Sequence, residues 1–156
     1  MRKLDLISKS GIDTMNIAKE LAKYMQKGDI IVLTGELGAG KTKFTEGFAS
    51  YFNLQDEISS PTFNIVNEYK NDKATIYHFD VYRLEDVEEF YAIGGEEYFL
   101  NGICVIEWGE MIEEALPHDY LKINFSKMKD DNNKRIIDII QYGERFKTID
   151  FKKIFN

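Results

Sequence analysis

Cysteine is nearly missing from this sequence: Cys104 stands alone. A disulfide framework and a multi-cysteine metal site are therefore excluded, and a reducing cytoplasm is the simple expectation. Cys104 sits inside Ile103-Cys104-Val105-Ile106, an apolar run that reads as a buried strand rather than the setting of a reactive thiol. Long apolar runs are lacking too. None approaches the ~20 residues that span a bilayer, and the first residues carry no signal-peptide apolar stretch, so no membrane role is expected. Positive charge is in deficit, with 20 Lys and Arg against 27 Asp and Glu and a net charge of −7. That balance opposes unaided binding to a nucleic-acid backbone. Lys127, Lys129, Lys134, Arg135, Lys147, Lys152 and Lys153 do enrich the last third in basic residues. They read as contacts for an acidic partner or RNA or, more simply, as solvated strand and tail faces. Repeats, low-complexity segments and Pro/Gly/Ser linkers are absent as well. The expectation is a single domain over residues 1–156, with residues 143–156 a tail of open role.

What is present is Gly35-Glu36-Leu37-Gly38-Ala39-Gly40-Lys41-Thr42, which satisfies the phosphate-loop pattern G-x-x-x-x-G-K-[ST]. The residue types follow from the chemistry. Wrapping phosphates in backbone N–H groups needs glycine where a Cβ would block approach or where positive φ is required. Gly35, Gly38 and Gly40 supply it, while Glu36, Leu37, Ala39 and Lys43 complete the backbone cradle and the helix start. A helix N-terminus adds free N–H groups and a partial positive charge. Lys41 is then in reach of the β- and γ-phosphates and the Thr42 hydroxyl of Mg²⁺. Context supports the match. Residues 29–34 form a short β-branched run of the kind that makes a buried parallel strand, and Phe44, Phe48, Tyr51 and Phe52 recur at helical spacing.

Around this unit the periodicity predicts a strand near residues 3–8 and a helix from Asp13, capped by Asp13 or Ser10 and ended at Gly28. A hairpin follows, with Phe63, Ile65 and Val66 on one strand, a turn at Asn71-Asp72 and residues 75–80 on the other, inserted as an antiparallel element in the nucleotide-binding sheet. A helix is predicted over 84–93, stopped by Gly94-Gly95, then a buried strand over 103–106 and a short helix over 110–116. Two strands, 120–125 and 135–141, flank a polar turn over 129–133. Residues 146–155 read as a short helix or a packed tail.

Hydrolysis needs an acid near Mg²⁺ and a group that orients water. Two strands end on one, at Asp80 and at Glu107. Glu107 follows the cleaner buried strand, against the alternative that it caps the next helix. Asp80 reads equally as a water-mediated Mg²⁺ ligand and as the cap of the helix at Leu84. Arg83 faces a phosphate or pairs with Asp80. His78 shares Asp80's side by strand alternation and, as a lone histidine, reads as structural. Trp108 belongs to the core or faces the nucleotide, with the core favoured. Thr62 lies where nucleotide switches sense the γ-phosphate, or in a strand-initiating turn.

Taken together, Gly28-Asp29, the loop with Lys43-Phe44-Thr45, Ser60-Pro61-Thr62-Phe63, His78-Phe79-Asp80-Val81-Tyr82-Arg83-Leu84 and Ile106-Glu107-Trp108 resemble the TsaE (YjeE) family in order and spacing over roughly residues 10–125. Glu36 stands where that family commonly has Asp, and Asn64 where Thr is frequent. The resemblance implies an α/β fold of the P-loop NTPase type with three layers and a mixed parallel/antiparallel central sheet. It implies an ATPase with ATP and Mg²⁺ as cofactors, required for threonylcarbamoyladenosine at position 37 of tRNAs. The implied partners are TsaD and TsaB, with tRNA met indirectly through them. By the same resemblance Lys41 and Thr42 hold phosphate and Mg²⁺, Asp80 and Glu107 serve metal and hydrolysis, Thr62 belongs to a switch-like loop and Trp108 lies near the nucleotide. Two other classes compete. A small-molecule kinase is disfavoured because no arginine lies between Arg83 and Arg135 to clamp a transferred phosphoryl group. A non-enzymatic nucleotide-gated adaptor would use the same acids only to hold Mg²⁺. A GTPase lacks its N-K-x-D motif, since Asn133-Lys134 is followed by Arg135-Ile136.

Overall fold

The computed structural model describes residues 2–36, 40–58 and 64–155. Seven strands form one sheet in the order β1-β7-β6-β2-β5-β4-β3. They are β1 (Arg2–Ser8), β2 (Ile30–Gly35), β3 (Val66–Lys70), β4 (Thr75–Asp80), β5 (Ile103–Glu107), β6 (Tyr120–Met128) and β7 (Asp131–Tyr142). The phosphate-loop strand β2 is central and parallel to both neighbours, β5 and β6, and β4 is parallel to β5. The pairs β3/β4, β6/β7 and β7/β1 are antiparallel. The predicted hairpin is present as β3 and β4, with Ile65 just before β3 and Phe63 outside the described residues, but it does not interrupt the parallel strands: β4 continues them, and of the hairpin's two strands only β3, at the edge, reverses direction.

Buried parallel strands are apolar on both faces, and β2 shows why a third layer follows. Ile31 and Leu33 join a core that includes Ala18, Leu21, Phe44, Phe48, Leu121 and Ile123 under helices α1 (Gly11–Ala22) and α2 (Lys41–Ser50). Ile30 and Val32 point the other way, into a second core with Phe79, Phe90, Cys104 and Ile106. That core is covered by α3 (Val87–Ala92), α4 (Gly95–Tyr98) and a 3-10 stretch, Gly109–Ala115.

Element ends follow local chemistry. Ser10 caps α1, accepting from the Asp13 amide at 3.1 Å. The helix predicted from residue 84 starts at Val87 because Asp86 caps it through the Glu89 amide, which removes Asp80 from that role. The turn between β6 and β7 is shorter than the polar run suggests, since β7 begins at Asp131. The tail is both a packed segment and a short helix: Phe146 and Phe151 are buried in the first core, and α5 (Phe151–Ile154) is the last described element. Arg145 fixes this tail to the residue before β2, with Nε 3.1 Å and Nη2 3.0 Å from the two carboxylate oxygens of Asp29. Among the described residues no helix is long and apolar enough to cross a membrane.

Candidate functional site

The site gathers where β2, β5 and β4 end. Parallel pairing sets Leu33 beside Glu107 and Glu107 beside Asp80. Alternation then puts His78, Asp80, Val105 and Glu107 on one face, the face that α2 covers. Gly35 closes β2 with φ at +130°, and a Cβ there would lie 2.4 Å from the Phe125 carbonyl oxygen. Two separate constraints, conformation and space, therefore require glycine at this position. Gly40 precedes α2 without any side-chain cap, so the first N–H groups of α2 are not claimed by a capping side chain. Leu37, Gly38 and Ala39 of the predicted cradle, and Thr62 of the predicted sensor, lie outside the described residues. Glu36, Thr42 and Lys43 are exposed around the loop, and Lys43 pairs with Glu46 at 3.5 Å.

Lys41 is the unusual group. Only 5% of it is exposed. Its ammonium donates to the Gly35 carbonyl at 2.9 Å and lies 3.8 Å from the centre of the Trp108 ring. No carboxylate among the described residues comes within ion-pair distance of it. Burial pushes its pKa below the usual lysine value, opposed by the more distant negative charges of Glu107, Glu110 and Asp80. A buried ammonium held by a neutral carbonyl and a π-face is poised to take an anion.

Trp108 takes the core alternative, and its ring also borders the site. Its ring is half-buried against the second core, stacks on Tyr82 with centroids 4.8 Å apart, and covers Lys41. Its backbone is left-handed, with φ at +64°, where the chain turns out of β5. Asp80 is half-buried and accepts from the Tyr82 amide at 3.0 Å. Arg83 is exposed and forms no ion pair with Asp80.

Glu107 does not cap the following helical stretch, whose cap position is Trp108. It accepts instead from His78, with Nε2 2.6 Å from Oε2. His78 is buried, and its Nδ1 lies 3.1 Å from the Tyr69 hydroxyl. The sequence alone reads His78 as structural and does not single out Tyr69. Alternation gives the face of each residue within its own strand, but the diagonal from His78 to Glu107 appears only once β4 and β5 are paired in register.

No cluster of three or more His, Cys, Asp or Glu side chains suited to a metal occurs among the described residues.

A mixed sheet between two helical layers, with Gly35 closing its central strand and Gly40 preceding a helix that begins at a buried lysine, defines a P-loop NTPase-like α/β protein. The profile of the family described as "Threonylcarbamoyl adenosine biosynthesis protein TsaE" matches residues 8–137. The tRNA threonylcarbamoyladenosine biosynthesis protein TsaE of Bacillus subtilis (strain 168) is 41% identical over 138 residues, 88% of this chain and 85% of that protein. The Rickettsia felis protein of the same description is 39% identical over 147 residues, 94% of this chain and 85% of its own length. The crystal structure of Bacillus subtilis YdiB superposes with a TM-score of 0.77 at 33% identity, covering 98% of this chain and 94% of that one. The chain belongs to the TsaE family of tRNA threonylcarbamoyladenosine biosynthesis proteins.

Proposed function

We propose that this TsaE-family chain is a Mg²⁺-dependent ATPase subunit whose nucleotide state governs its association with TsaD and TsaB in the cytoplasm. The observation that carries the reading is Lys41: a buried cation with no ion-pair partner among the described residues, at the start of a helix with no side-chain cap. Phosphate would take over the role of the Gly35 carbonyl and the Trp108 ring. Thr42 and Asp80 are the residues that would hold Mg²⁺, whose chemistry is to neutralise phosphate charge. Glu107 would orient the attacking water. A cleft of about 340 Å³ lined by Gly11, Thr14, Gly40, Lys43, Asn132 and Asn133 offers room for the nucleoside. The larger cleft, about 460 Å³, is lined by Gly102, Ile103 and Thr75 at the far ends of β5 and β4 and has no part in this reading.

The test combines binding, hydrolysis and association. MgATP should change the fluorescence of Trp108, the single tryptophan, as Lys41 leaves its ring. Lys41→Ala should weaken MgATP binding by about 10- to 100-fold, the loss of a charge-assisted hydrogen bond of ~1.5–3 kcal/mol. The same variant should lose hydrolysis and nucleotide-dependent association with TsaD and TsaB. Unchanged hydrolysis and association in Lys41→Ala would sink the proposal.

A further inference from the structure

We propose that His78, backed by Tyr69, is a positioning residue for Glu107: it ties Oε2 of that carboxylate to β4 and leaves Oε1 as the oxygen that serves the nucleotide. The inference rests on the reading of Glu107 as the residue that orients water.

Four observations carry it. The contact is short and buried: His78 Nε2 lies 2.6 Å from Glu107 Oε2, with the two side chains only 3% and 13% exposed. Its direction is fixed by chemistry. A carboxylate oxygen only accepts, so Nε2 carries the proton of this bond and His78 donates. The other ring nitrogen is also engaged, since Nδ1 meets the Tyr69 hydroxyl at 3.1 Å, which prevents the ring from rotating without breaking both contacts. A hydroxyl can donate or accept, so Tyr69 serves the imidazole with or without a second ring proton. Finally, the support is rigid. His78 and Tyr69 lie on the paired strands β4 and β3, in register at Asn67↔His78 and Tyr69↔Ile76, and both are buried.

Without this tether, the three side-chain torsions of Glu107 would have to be ordered at the moment of reaction. Glu107 also has a competing attraction, because the Lys41 ammonium lies in the same site and feels its charge. His78 holds the carboxylate against β4, out of ion-pair distance of Lys41. A histidine that merely fills the core would have no such effect on the acid.

The two roles separate in steady-state and single-turnover hydrolysis by the full chain with TsaD and TsaB present. His78→Ala should lower kcat by about 10- to 100-fold, the range for residues that orient a site group. The dissociation constant for MgATP should stay within about twofold. His78→Gln, whose amide N–H replaces Nε2–H, should recover most of the lost kcat. Tyr69→Phe removes one oxygen and should reduce kcat less than His78→Ala, again without weakening MgATP. That variant decides the matter if His78→Ala does not fold. Parent-like kcat in His78→Ala, or in Tyr69→Phe where His78→Ala is unfolded, overturns the inference. So does equal impairment of His78→Ala and His78→Gln. Glu107→Gln is the control that distinguishes the two levels. If it leaves hydrolysis intact, the role given to Glu107 fails; if it abolishes hydrolysis while His78→Ala does not lower it, only the positioning role of His78 fails.

Discussion

Removing Arg145 is the most informative single perturbation of the scaffold, because it strands a carboxylate directly before the central strand. Asp29 is 5% exposed and accepts from Arg145 Nε at 3.1 Å, Arg145 Nη2 at 3.0 Å and the Gln26 amide at 2.8 Å. In Arg145→Ala only the amide remains. Breaking a buried ion pair from one side costs about 3–5 kcal/mol. Arg145 itself is about a quarter exposed, so water can enter the space it vacates, and the lower value of about 2–3 kcal/mol is expected here. That corresponds to a fall in Tm of about 4–12 °C for a chain of this size. The sign with pH follows from Asp29. Burial already holds its pKa above the ordinary aspartate value, despite the opposing pull of the Gln26 amide and Arg145, and loss of the guanidinium moves it further up. Between the unfolded value and the raised folded one, the folded state keeps a proton that the unfolded state has lost. Stability in the variant therefore rises as pH falls through that window. Urea unfolding followed by circular dichroism should show the largest deficit near neutral pH and a smaller one in mild acid. A deficit below about 0.5 kcal/mol, the range of ordinary surface substitutions, or one independent of pH, would refute this account of the pair.

Two further outcomes follow from packing. A Cβ on Gly47 would lie 2.2 Å from the carbonyl oxygen of Met15 and 2.5 Å from its Cα, both backbone atoms of α1. Gly47→Ala should therefore cost about 3 kcal/mol or more through forced separation of α1 and α2, overriding the ~1 kcal/mol that alanine contributes to helix propensity. Thermal unfolding checks it, and parent-like stability would show that the helices can part freely. Cys104 is fully buried, and burial pushes its thiol up to about 12. Iodoacetamide should leave it unmodified in the native protein under mildly alkaline conditions and label it once urea unfolds the chain; stoichiometric native labelling would contradict its burial.

The parts legible in the sequence are those in which one segment carries its own signal. The β2–loop–α2 unit declares itself through a β-branched run, glycines and an aromatic helix face, and the two-sided burial of β2 is what such a run implies. The acid-ending strands 75–80 and 103–107 were equally readable, and the structure sets Asp80 and Glu107 side by side. What was not legible depends on pairing between distant segments. Arg145 and Asp29 are 116 residues apart, and nothing local in residues 143–156 announces that Phe146 and Phe151 close the first core. His78 to Glu107 is a diagonal between strands whose register only the assembled sheet fixes. Helix starts moved by one to three residues for a simpler reason: Asp86 outcompetes Asp80 as a cap because its carboxylate reaches the Glu89 amide.

The resting partners of Lys41 bear directly on the proposed function. Had Lys41 closed onto Glu107, an arriving phosphate would have to break a buried ion pair, with the other partner left behind as an unpaired charge. The carbonyl of Gly35 and the face of Trp108 are neutral, and leaving them exposes no such charge. Cation–π contacts contribute ~0.5–2 kcal/mol, less than a buried charge pair costs to break. The bond from His78 gives Glu107 a different buried partner, so cation and carboxylate occupy the same site without neutralising each other. Under the proposed function the tether would serve both steps: Lys41 would exchange weak neutral partners for phosphate, and Glu107 would retain one oxygen for water.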